Sequence, residues 1–112
     1  MAMFGNFVAG TVGADGKPVA GEGFTAELAG QPGIITVTFL PGWIFTEPPA
    51  VVATQIHPDK DDPAITPNTL SNVVIRWVTP HKFQIVTGAP NGLPLGRKFS
   101  FVAIGIMGTP KK

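Results

Sequence analysis

Proline recurs so often along this chain that an amphipathic helix has no room to form. Twelve prolines and fourteen glycines punctuate the sequence, and a proline inside a helix removes a hydrogen bond and clashes with the preceding turn. No stretch carries an uninterrupted helical period, and all twelve prolines read as lying between strand runs. What the punctuation leaves is a set of short segments in which apolar residues recur every second position, the period of a half-buried strand. In the segment 34–40, Ile35, Val37 and Phe39 share one face while Thr36 and Thr38 point the other way.

The same grammar gives about seven strands, at 7–12, 19–28, 34–40, 51–57, 70–78, 81–87 and 97–107. Asp15-Gly16 supplies a turn after the first, and the residues around Gly30 and Gly33 another. Gly21 and Gly23 inside the second segment suggest a bulge or close backbone packing. The connector 43–49 is too apolar for a solvated loop and is expected to fold over the end of a core. The segments 70–78 and 81–87 read as a hairpin, with Val73, Ile75 and Trp77 together on the buried face. Many short strands, Gly/Pro turns and no helix are the signature of an all-β fold, an antiparallel β-sandwich of about seven strands, as in a jelly roll, or a barrel.

Length and composition set limits on what such a sandwich can do. A chain of 112 residues is a single domain, spanning 1–112, and buries roughly two-thirds of the surface its unfolded form exposes. With 44% hydrophobic and only 13% charged residues, its surface is lean in charge, which points to partial cover by a partner subunit. The formal net charge of +1, with basic clusters only at Arg97-Lys98 and Lys111-Lys112, argues against nucleic acid as a partner. The absence of cysteine removes disulfides, thiol catalysis and thiolate metal sites. The first residues show no basic region followed by an apolar run, so no secretory signal is visible. Cytoplasmic synthesis is the expectation, with virion association or release from the cell as further fates. The apolar run 101–107 is far below the roughly 20 residues of a spanning helix, so no membrane insertion is expected.

The last strand differs from the others. Phe99, Phe101 and Ala103 fill one face, and Val102, Ile104 and Ile106 fill the other. A strand apolar on both faces needs cover on both. A neighbouring subunit is the preferred cover for Val102, Ile104 and Ile106, and the N-terminal segment 1–7 is the alternative.

Chemistry-bearing residues are sparse. Neither of the two serines, Ser71 and Ser100, sits in a nucleophile-elbow setting near His57 or His81, and the reading is non-catalytic. Asp59, Asp61 and Asp62 lack the glycine and terminal glutamate of a calcium loop, so neither metal nor cofactor is expected. Binding of a surface glycan asks for less: a few polar groups and an aromatic face. The candidates are Trp43 in the apolar connector, His57, Asp59, Lys60 and Asp61 at the start of the long polar loop 58–68, and Arg76 and His81 around the later hairpin. Trp77, alternating with Val73 and Ile75, reads as core rather than as a ligand platform. For Trp43 both readings stay open, and His57 is the best polar candidate.

A family pattern accompanies these residues. Gly10-Thr11-Val12, Asp15-Gly16, Gly21-x-Gly23-Phe24-Thr25, the strand from Gly33 to Phe39, Pro48-Pro49-Ala50-Val51-Val52 and the closing Phe99-Ser100-Phe101-Val102-Ala103-Ile104-Gly105 resemble the small β-sandwich modules at the C-termini of phage tail fibres and bacterial collagen-like surface proteins. The layout is also similar to H-type lectins, although cysteine and tyrosine are absent and sugar-holding residues do not map one by one. The resemblance implies a homotrimer, or a multiple of one, serving assembly and receptor recognition. A free-standing lectin is the alternative, suggested by a chain that runs from Met1 to just past its last strand with no shaft segment.

Overall fold

Alternation becomes a sandwich because each strand has one face that excludes water. The computed structural model describes residues 6–58, 60–65 and 69–108. They form eight strands: β1 (Asn6–Val12), β2 (Pro18–Gly21), β3 (Phe24–Leu28), β4 (Ile34–Phe39), β5 (Ala50–Ile56), β6 (Val73–Val78), β7 (Lys82–Thr87) and β8 (Lys98–Gly105). One sheet runs β2-β1-β8-β5 and the other β3-β4-β7-β6, with every pair antiparallel. No helix occurs among the described residues, and none there is long and apolar enough to cross a membrane.

The eighth strand arises from a corner. The segment read as one strand over 19–28 is two, β2 in the first sheet and β3 in the second. Gly21 and Gly23 adopt φ of 96° and 91° at the crossing, a conformation open to glycine and strained for other residues. The glycines therefore change sheets rather than mark a bulge within one strand, and the close backbone packing expected of them is present at Gly21, where a Cβ would come within 2.2 Å of the Ala9 carbonyl oxygen. Pro18 also departs from expectation, since it opens β2 rather than lying between strands. It is tolerated there because β2 is an edge strand, where a missing N–H breaks no ladder.

Between the sheets, an aromatic spine fills the core. Phe24 and Phe101 meet edge to face at 5.0 Å, Phe101 meets Phe83 at 5.0 Å, and Phe39 meets Phe45 at 5.1 Å. Each such pair contributes about 0.5–1.5 kcal/mol beyond burial of its area. The ring of Phe24 lies over Gly10, where an added Cβ would come within 2.3 Å of it. The connector 43–49 does cap the core: Phe45 is fully buried and its backbone bridges to Met107.

Trp77 is the main correction to the sequence reading. Val73 pairs with Thr87 and Ile75 with Ile85, but Trp77 pairs with Gln84, because β6 carries a bulge between Ile75 and Trp77. The extra residue inverts the parity of everything after it. Trp77 thereby turns from the core to the outer face, 38% exposed, with the Lys82 ammonium 6.0 Å from its ring centre.

Candidate functional site

The residues singled out from the sequence do not converge. His57, Lys60 and Asp61 lie exposed at the end of the sandwich where β5 finishes and β6 begins. Trp43 and His81 lie at the opposite end, where β4 and β6 finish and the His81 carbonyl accepts the Phe39 N–H. Arg76 sits on the outer face of β6 and donates to the Gln84 side-chain carbonyl, which shares a network with Thr36. Asp59 lies outside the described residues. The order of strands around two sheets separates these groups, and no reading of loop composition contains that order.

What the fold does bring together is a face. On the outer side of the first sheet the registers align Phe7 with Ile104 and Ala50, then Ala9 with Val102 and Val52, then Thr11 with Ser100 and Thr54. Two apolar rows are thus followed by a row of hydroxyls, in which Thr11 and Ser100 share a hydrogen bond of 2.8 Å. In the single chain Phe7, Val52, Ile104 and Ile106 are 61%, 67%, 52% and 68% exposed. The expectation that Val102, Ile104 and Ile106 point away from the core holds, and Ile104 and Ile106 keep half or more of their surface exposed. Of the N-terminal segment 1–7, the alternative cover, residues 1–5 lie outside the described residues, and Phe7 stands beside Ile104 in the same sheet, itself exposed.

Two concavities flank this face. The larger, about 430 Å³, lies beside the start of β1 and is lined by Asn6, Phe7, Glu22, Trp43 and Met107. Trp43 leans on Gly23, where any Cβ would come within 2.6 Å of the indole. The Glu22 carboxylate makes no hydrogen bond or ion pair with a described residue, so it is free to accept one from a ligand. Of the sequence candidates, Trp43 alone belongs to this pocket. Asn6 and Glu22 were missed, since nothing in their neighbours distinguishes them from surface polars.

The second concavity, about 280 Å³, lies at the other end, lined by Ala14, His57, Leu95, Arg97 and Lys98 among others. One guanidinium nitrogen of Arg97, Nη1, is shielded from solvent and has no hydrogen-bond partner. Leaving a buried charged N–H unsatisfied costs upward of about 1–3 kcal/mol. The adjacent Arg97-Lys98 pair is the signal the sequence offers, and as a cluster it is too small to point to nucleic acid.

No group of three or more His, Asp or Glu side chains able to hold a metal occurs among the described residues. No protein-family model, curated protein or solved structure matches the chain.

Proposed function

We propose that this chain is a non-catalytic assembly and recognition module of the tail-fibre-tip kind, a homo-oligomer, most simply a trimer, whose copies meet through the outer face of the β2-β1-β8-β5 sheet. The exposed apolar field of Phe7, Val52, Ile104 and Ile106 carries this reading. Full burial of such a side chain is worth about 1.5–3 kcal/mol, and these have half or more of their surface still to lose, so one face contributes roughly 4–7 kcal/mol. Two faces together reach the range of about 4–15 kcal/mol that association costs. A second copy suits the field better than a charged partner does. The two apolar rows carry no ionisable side chain, so copies of the face packed around a symmetry axis bring no like charges together there. The resemblance of the strand motifs to trimeric tip modules supports the same reading.

Size-exclusion chromatography with light scattering tests it. The expected mass at micromolar concentration is about three times the 11.7 kDa of one chain. A clean monomer sinks the proposal, and a stable dimer retains the face while removing the trimer.

A second reading, a carbohydrate-binding lectin, is favoured by the Trp43 pocket. An indole wall with Asn6 and Glu22 at hand combines an apolar surface for a pyranose ring with groups that hold hydroxyls. On a glycan array, binding abolished by Trp43→Ala and retained by His57→Ala assigns this pocket. The reverse assigns the polar loop at the other end, and no binding by the wild type removes the reading.

A further inference from the structure

The loop between β7 and β8 is fixed at several points, and what it holds in place is a pair of cations. The Thr87 hydroxyl, fully buried, donates to the Leu95 carbonyl at 2.7 Å and accepts the Arg97 N–H at 3.2 Å. The Leu95 N–H returns to the Thr87 carbonyl at 3.0 Å. Gln55 of β5 clamps the start of the loop, donating to the Gly88 carbonyl at 3.0 Å and accepting its N–H at 3.1 Å. Gly96 approaches the β1–β2 turn so closely that a Cβ there would lie 3.0 Å from the Ala14 carbonyl oxygen. Arg97 is thus placed by the scaffold rather than left on a swinging loop.

Three nitrogen-bearing side chains, His57, Arg97 and Lys98, line the concavity that results, and among the described residues no carboxylate does. Asp59, two positions after His57, lies outside the described residues. Of the other acidic groups near it in sequence, Asp15 accepts the Lys17 N–H, Asp62 accepts the Ala64 N–H, and Asp61 is exposed. Arg97 Nη1 lacks an acceptor although it is shielded from water. Buried donors in folded proteins nearly always have a partner, and a permanently charged one has the strongest need.

We infer that this cavity binds an oxyanion, a carboxylate or phosphate group borne by a small ligand, with the Arg97 guanidinium turning its unpaired Nη1 out of its shielded position to make the directional contact and Lys98 and His57 adding charge and a further N–H donor. The planar fork of a guanidinium matches both groups, pairing two N–H bonds with two oxygens. The volume of about 280 Å³ lies at the lower end of small-molecule pockets, near about 300 Å³, which suits an anionic group with the ring or chain that carries it. This inference is independent of assembly and of the Trp43 pocket, which lies at the opposite end of the sandwich.

The test is a titration followed by ¹H–¹⁵N NMR at constant ionic strength, reading the Arg97 side-chain Nε–H and the Gly96 amide. The probes are inorganic phosphate, glucuronate and, as a neutral control, glucose. Saturable shifts with phosphate or glucuronate and none with glucose are expected. Preference for glucuronate assigns a carboxylated sugar, and preference for phosphate assigns a phosphorylated ligand. Arg97→Met, which keeps the stem and removes the fork, is expected to weaken binding about tenfold, and Lys98→Gln about threefold. Lys82→Gln, on the outer face of the other sheet, is expected to change nothing. The inference is overturned if neither anion gives a saturable shift, if Arg97→Met binds like the wild type, or if Lys82→Gln weakens binding equally. Should Arg97→Met fail to fold, the double change His57→Gln, Lys98→Gln decides, since undiminished binding there also overturns it.

Discussion

The two outer faces of the sandwich are built by the same alternation and finished in opposite ways. On the β3-β4-β7-β6 sheet, the registers align Thr25, Thr38 and Lys82 in one row and Glu27, Thr36, Gln84 and Trp77 in the next, leaving one apolar row of Ile34, Val86 and Val74. Charges of both signs stand on that face, and Arg76, Gln84 and Thr36 tie its middle together. On the β2-β1-β8-β5 sheet two apolar rows are followed by a row of hydroxyls, and a charge, that of Lys98, enters only one row beyond it. A solvated face spends polar side chains on itself, whereas a face awaiting another protein surface leaves its apolar side chains unshielded. The contrast within one small domain is more informative than either face alone.

The contrast can be broken most forcefully by charge. Ile104→Lys together with Val52→Lys removes two exposed apolar side chains and sets like charges against one another across the interface. Each lost side chain weakens association by about 1–2 kcal/mol, the share of full burial it still has to gain, and the like charges add to this, so light scattering should report monomer. Thr25→Lys with Thr38→Lys on the other face should leave the mass unchanged; equal dissociation by both pairs erases the distinction between the faces. Next in size is Gln84→Leu, which strips the acceptor from Arg76 beneath Trp77. Chemical denaturation should show a loss of about 1–2 kcal/mol, with oligomeric mass intact. Ser100→Ala, which breaks the bond to Thr11 on the apolar sheet, should cost about 1 kcal/mol in the same measurement. The smallest effect belongs to Lys82→Met, which removes the ammonium above Trp77 and should cost about 0.5 kcal/mol.

Much of this architecture is legible in the sequence. The strand from Ile34 to Phe39 shows its inward and outward sets in its own alternation, and β8 shows in its sequence the outward apolar set that the single chain leaves exposed. Legibility failed where a single residue changes parity or direction. The bulge at Arg76 cannot be seen from Val73, Ile75 and Trp77, whose spacing is that of an unbroken strand. Gly21 and Gly23 signalled irregular backbone, yet a corner between sheets and a bulge within one ask for the same residue type. The candidate sites failed for a different reason. His57 and Trp43 are separated by fourteen positions along the chain, but β5 spans the length of the sandwich between them, and their neighbours in space come from remote turns. Arg97 gains its meaning only from Thr87 and Leu95, which hold it beside Ala14 and His57.

The hydroxyl row of Thr11, Ser100 and Thr54 has a consequence for geometry rather than stability. It ends the apolar field at a fixed height along the strands, and Lys98 stands one row further on, opposite Ile56. A copy that slides toward that end must bury hydroxyls and then a cation, while one that slides the other way leaves Val52 or Val102 bare. In the proposed assembly the row would therefore index the approach of a second chain along the strand axis, much as a shoulder on a shaft sets where a collar comes to rest.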